Sequence, residues 1–211
     1  MPAKIGSEKT SQRDRALTLL ASQGMARLSE FRNAGVAQET VARLAREGTI
    51  LRLARGLYQL PDNELDINHS LAEIAKLVPR GVICLLSATQ FHQLTVHTSS
   101  TVWVAIERTA RKPAIKHPPL RIVRFSGAAY SMGVEEHLIE GVPVRIYSPA
   151  KTAVDCFRYR NKVGLDVALE ALREGLRQRR FTTDELYRHA TATRTWKVME
   201  PYMEALLTDG T

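Results

Sequence analysis

Three short helical stretches closed by glycines, a basic two-strand segment directly behind them, and a remainder in which short apolar strands give way to helices together predict an α+β chain. The expected architecture is an N-terminal winged helix-turn-helix over residues 1–61, followed by a C-terminal α+β domain over residues 62–211. That second domain should hold a small sheet and a helical C-terminal half. The length of 211 residues suits one or two domains. The 44% hydrophobic and 25% charged shares are those of an ordinary globular chain.

The first helix is announced by Ser11-x-x-Asp14, a capping-box pattern with its acid where a helix N-terminus favours negative charge. Leu17, Leu20 and Ala21 follow at helical spacing as one inward face, and Gly24 ends the helix. A second helix over 27–34 turns Leu28 and Phe31 inward and closes at Gly35. The third runs from about Ala37 to Glu47 and stops at Gly48. Projected at 100° per residue, Ala37, Val41, Leu44 and Ala45 fall on a core side. Glu39, Ala42, Arg43 and Arg46 fall opposite, with Gln38 in the first turn. Long donors beside a small residue are what a recognition helix needs to reach base edges in the major groove. Two arginines on a helix surface are equally the mark of a solvated face, so the next segment decides. Residues 49–60 read as two short strands joined at Ala54-Arg55-Gly56, with Gly56 free to take the positive φ of a tight turn. A hairpin placed there is a wing, and it carries Arg52 and Arg55 toward phosphates. The candidate DNA-binding residues are therefore Gln38, Glu39, Ala42, Arg43, Arg46, Arg52 and Arg55. Pro61-Asp62-Asn63 breaks the pattern and starts a linker.

Charge agrees with this reading. The net is +8, and residues 1–61 hold ten basic against five acidic side chains, so +5 of the surplus lies in the first sixty residues. A basic balance of this kind points to a nucleic-acid partner. The longest apolar runs, 82–86 and 102–106, are far below the roughly 20 residues of a membrane span. The first ten residues lack the apolar core of a secretory signal. Cys84 and Cys156 stand far apart without zinc-ligand spacing, so buried, reduced thiols and a cytoplasmic location are expected.

The second domain should open with a helix over 66–78 and a strand over 82–85, then a helix capped by Ser87 and reaching about Leu94. Strands follow over 102–106, 120–125, 135–139 and 142–147, the last two joined through Glu140-Gly141. After Ser148-Pro149 the chain should be helical over 149–159, 164–178, 183–191 and 196–207.

The segment from Gly35-Val36 through Leu44, Gly48-Thr49-Ile50 and Arg55-Gly56-Leu57-Tyr58 resembles the N-terminal winged helix of AbiEi-type antitoxins, the regulators of type IV toxin–antitoxin pairs. Tyr147-Ser-Pro-Ala-Lys-Thr-Ala-Val-Asp-Cys156 is similar to a Ser/Thr-Pro-x-x-Thr-x-x-Asp segment in the C-terminal part of that family. The cues bracket residues 12–178. One departure is Ala37, where many such domains place a Ser or Thr cap. The resemblance implies a repressor that binds inverted repeats of double-stranded DNA in its own promoter and self-associates there. It also implies an antitoxin that neutralises a nucleotidyltransferase toxin.

Catalytic alternatives find little support. His92 and His97 have no neighbouring carboxylate or cysteine to complete a metal site. Asp155 and Cys156 are helix neighbours and point apart, so Val154, Phe157 and Cys156 should pack inward while Asp155 caps or pairs. Glu107-Arg108 resembles the end of a nuclease strand, yet no acid occurs from Arg108 to Val134 to help bind a metal. The acid-free stretch carries Arg108, Arg111, Lys112, Lys116, Arg121 and Arg124, which fits a solvated loop or a second electrostatic contact. Arg173, Arg177 and Arg180 form another basic stripe on one helix face. No phosphate loop and no aspartate pair two apart are present in the sequence. The expectation is a binding protein, not an enzyme, with no cofactor, no metal and no membrane partner. The competing reading is a nuclease-like enzyme targeted to DNA by the winged helix.

Overall fold

The computed structural model describes residues 11–62 and 66–208. Lys4, Glu8 and Lys9 of the N-terminal charge count, and residues 63–65 of the expected linker, lie outside the described residues. The chain is α+β and divides into two compact units, Met1–His69 with Glu140–Val142, and Ser70–Ile139 with Pro143–Thr211.

In the first unit, α1 (Gln12–Gln23), α2 (Leu28–Asn33) and α3 (Gln38–Arg46) are joined by short turns. The expected capping box is formed, with Ser11 accepting from the Asp14 amide and the Asp14 carboxylate returning to Ser11. The buried face of α1 is Ala16 and Leu20; Ala21 is exposed, because the helix rotates Ala16 onto Phe31 and its neighbours instead. Behind α3, β2 (Leu51–Ala54) and β3 (Leu57–Gln59) form the hairpin. A third strand, β1 (Met25–Arg27), pairs antiparallel with β3, matching Ala26 to Tyr58. The spacing predicts no strand here and starts the second helix at Arg27, which is the last residue of β1, since three residues are too few to show alternation. Leu20, Phe31, Val36, Val41, Leu44, Ile50 and Tyr58 make the core, with Phe31 and Tyr58 rings edge-to-face at 5.9 Å.

The second unit opens at Ser70 within α4 (His69–Leu77), which is followed by β4 (Val82–Ile83). The next helix, α5 (Leu85–Phe91), starts at Cys84, so the expected cap at Ser87 is corrected. Ser87 is buried one turn inside, where its hydroxyl accepts from the Trp103 amide at 2.9 Å. Then come β5 (Val102–Glu107), β6 (Leu120–Phe125), the short α6 (Ala128–Ser131), β7 (Val134–Ile139) and β8 (Val142–Tyr147). They form one mixed sheet in the order β6-β5-β4-β8-β7, with β4 antiparallel to β5 and parallel to β8, and β5 parallel to β6. The helical half is α7 (Pro149–Arg158), α8 (Arg160–Val163), α9 (Leu165–Arg177), α10 (Thr183–Ala192) and α11 (Trp196–Thr208).

Helix α7 is the hub of this unit, and every residue from Ala150 to Phe157 is buried. The Ser-Pro-x-x-Thr-x-x-Asp segment supplies its architecture. Ser148 caps the Lys151 amide, Pro149 takes the first turn, and the Thr152 hydroxyl donates to the Tyr147 carbonyl at 3.1 Å. Asp155 accepts from the Lys151 ammonium, both side chains being fully buried. That ammonium also lies 4.3 Å from the Tyr147 ring and 5.0 Å from the Phe125 ring. Asp155 therefore pairs inside the core.

Candidate nucleic-acid interface

Helix α3 leaves Ala37 in extended conformation at its N-cap, with no side-chain bond of its own. The cap comes from α1. The Gln12 Oε1 accepts from the Ala37 amide at 2.8 Å and from the Thr40 hydroxyl at 2.9 Å. This satisfies one of the four orphan donors of the helix and sets the angle of α3 against α1. Ala37, expected in the core, is exposed because it belongs to the cap. Val41 and Leu44 are buried, and Gln38, Glu39, Ala42, Arg43 and Arg46 all face solvent.

The hairpin is anchored at its turn. Gly56 has φ +74°, and its carbonyl accepts from the Leu28 amide at 2.8 Å, tying the tip to the start of α2. A register shift between Arg52 and Ala54 bends β2. Between α3 and the hairpin lies a cleft of about 530 Å³, lined by Leu28, Gln38, Ala42, Arg52, Arg55, Gly56 and Tyr58. Four of the seven sequence candidates thus share one concave surface. It has two guanidiniums and no carboxylate in its lining. Leu28 and Tyr58 are lining residues missed as site residues, although Tyr58 lies in the Arg-Gly-Leu-Tyr run already singled out.

Glu39, Arg43 and Arg46 stand on the outer face of α3, outside that cleft. Arg43 Nη1 pairs with Glu47 Oε1 at 3.1 Å, and Arg13 stands 4.0 Å from the same carboxylate. Arg46 Nε turns back to the Ala42 carbonyl at 3.4 Å. Arg52 Nε contacts the Ala54 carbonyl at 3.3 Å, and both Arg52 and Arg55 are exposed.

In the second unit, Cys84, Cys156 and Asp155 are fully buried. Burial pushes the Cys84 and Cys156 thiols well above their ordinary range, and both are free cysteines. Burial also raises the Asp155 carboxyl, against the pull of Lys151. His92 is buried, bonded to the Tyr147 carbonyl at 2.7 Å, and lowered to about 4 by desolvation. His97, expected to lack carboxylates, lies 3.7 Å from both Asp166 and Glu170, because the loop before β5 returns over α9. Among the described residues no group of three His, Cys, Asp or Glu side chains is placed to hold a metal ion. No helix among them is long and apolar enough to cross a membrane. In the basic stretch, Arg124 is turned onto the carbonyls of Arg108 and Ala110, and Arg121 stacks on Trp103 at 4.5 Å. In the other stripe, Arg177 is paired with Glu174.

The model of a family described as "Transcriptional regulator, AbiEi antitoxin" matches residues 14–61, the segment that builds α1–α3 and the hairpin. The crystal structure of the RV2827C protein from Mycobacterium tuberculosis is similar to this chain with a TM-score of 0.62 at 13% identity. The similarity covers 92% of this chain and 76% of that one. At that identity the likeness is one of fold. No curated protein sequence matches the chain.

Proposed function

We propose that this chain is a DNA-binding transcriptional repressor serving as the antitoxin of a type IV toxin–antitoxin pair. It autoregulates its operon and neutralises a nucleotidyltransferase toxin in the cytoplasm. In this reading the first unit is a winged helix-turn-helix, with α3 in the major groove and the β2–β3 hairpin as its wing. Gln38, Ala42 and Arg43 face base edges, while Arg52 and Arg55 meet phosphate or the minor groove. Arg46 serves either group of contacts, and Glu39 borders the helix face. The observation that carries the reading is the acid-free cleft uniting Gln38 and Ala42 with Arg52 and Arg55, inside the segment that matches the regulator family.

The second unit supplies toxin and self contacts and does no chemistry. A metal-dependent nuclease needs converging carboxylates, and Asp155 is sealed inside the core. Two measurements test the proposal. Mobility shift on the DNA upstream of its own gene should give retardation that scrambled duplex does not compete away. Co-expression with a nucleotidyltransferase encoded beside it should restore growth. Failure of both removes the reading. Magnesium- or manganese-dependent turnover of DNA, RNA or nucleotide triphosphates that is lost on Glu107→Gln would replace it with the enzymatic one.

A further inference from the structure

The second unit holds a cavity of about 670 Å³, larger than the cleft of the first. Residues 77–81, at the end of α4 and its following turn, form one wall. The other is the end of β5 with residues 109–114 of its crossover to β6. This volume lies within the roughly 300–1,000 Å³ of small-molecule sites.

Both walls are held by hydrogen bonds. The Tyr130 hydroxyl and Arg145 Nη1 donate to the Arg80 carbonyl, pinning the turn. Arg124 Nη1 donates to the carbonyls of Arg108 at 2.6 Å and Ala110 at 2.8 Å, pinning the crossover. A site ordered before its ligand arrives avoids much of the ordering cost of binding. The floor is apolar, with Val78 and Ile106 buried at 8% and 3% exposure. The rim is cationic. Arg80, Arg111 and Lys112 are exposed there, with no carboxylate partner among the described residues. Glu107 is the single acid in the lining, which leaves the mouth two charges positive.

We propose that this cavity binds a phosphomonoester carried on an apolar or planar body, of the size of a nucleoside 5′-monophosphate. A phosphomonoester bears about −1.5 to −2 charges near neutral pH, matching the surplus at the rim. The guanidiniums of Arg80 and Arg111 offer paired donors to its oxygens, and the ammonium of Lys112 adds a third cation. The body of the ligand lies over Val78 and Ile106, beside Tyr130. A free nucleotide and the 5′ end of a nucleic-acid strand present the same group.

Calorimetric titration of the full chain, without operator DNA, tests this with AMP, adenosine, inorganic phosphate and a 5′-phosphorylated trinucleotide. AMP should bind saturably at one site, with adenosine and phosphate each at least tenfold weaker. Arg111→Ala/Lys112→Ala should weaken AMP at least tenfold, and the charge-matched Arg173→Ala/Lys197→Ala should not. Ala110→Leu keeps every cation while narrowing the cavity, so it should weaken AMP and spare phosphate. The trinucleotide identifies the source: tighter than AMP assigns a strand end, weaker assigns a free nucleotide. Equal binding of AMP, adenosine and phosphate, or equal losses in the two double variants, would overturn the proposal. Neither α3 nor the hairpin is altered and no operator is present, so this failure is distinguishable from failure of the repressor reading.

Discussion

Replacing Arg43 is the most discriminating perturbation of the proposed DNA face. Its guanidinium is held 3.1 Å from Glu47, with the two side chains 50% and 40% exposed. Exposed helix pairs four residues apart contribute about 0.3–0.5 kcal/mol, and placing the cation before the acid is the weaker order. A bidentate contact to guanine gives about 1–3 kcal/mol of discrimination. Arg43 can therefore leave Glu47 for a base with free energy to spare. Arg43→Ala should reduce preference for operator over scrambled duplex by roughly 5- to 150-fold, which is that free energy as a ratio. Glu47→Ala frees the guanidinium and removes a negative charge near the phosphates. It should tighten operator binding by about twofold, the ratio that corresponds to a helix pair of this size. In the double variant this gain should shrink, because Arg43 is no longer there to be freed. Competition titrations of the four proteins against both duplexes at fixed salt measure all of these quantities. Equal losses on operator and scrambled DNA for Arg43→Ala would refute the base-reading role and make Arg43 a phosphate contact.

Three further outcomes are expected. Arg55→Ala, on the hairpin, should weaken all duplexes alike and reduce the slope of log affinity against log salt by about one unit, measured over a salt series. Asp155→Ala leaves the buried Lys151 ammonium without its partner and should cost about 3–5 kcal/mol in urea unfolding. Lys151→Met/Asp155→Leu should recover most of that loss, and an equally unstable double variant would contradict the desolvation argument. His92 is held near 4 in the folded chain against 6.5 when unfolded, so the unfolded state alone takes up a proton between those values. Its contribution is complete above pH 6.5 and is lost as pH falls toward 4, by about 3 kcal/mol in all. His189, also lowered by burial, acts in the same direction. Unfolding at pH 7 and pH 5 should show a smaller difference in His92→Phe than in the unaltered chain.

The features legible in the linear chain are those governed by near neighbours. Ser11 and Asp14 close a capping box within one turn, Ser148 and Pro149 start α7, and Gly24 and Gly56 take positive φ where helix and hairpin reverse. The outward side of α3 was readable too, because Val41 and Leu44 repeat at helical spacing against the core. Features that failed to show depend on partners distant in sequence. Ala37 looks like a missing cap until Gln12 arrives from another helix to bond its amide. Met25–Arg27 becomes a strand because β3 returns to pair with it, a contact no three-residue pattern encodes. Asp155 reads in the sequence as a residue that caps or pairs, but only the packing of α5, α9 and α10 around α7 puts that pair inside the core. Burial then turns Lys151 and Asp155 from solvated charges into an obligatory pair, since neither ion can be desolvated alone without a cost of several kcal/mol. The cleft follows the same rule: Gln38 and Ala42 on the helix and Arg52 and Arg55 on the hairpin share a surface because the turn carbonyl of Gly56 is bonded to Leu28. Short-range bonding made most of the elements and the buried side of α3 predictable, whereas the identity of each face's neighbour rests on long-range packing that residue spacing does not carry.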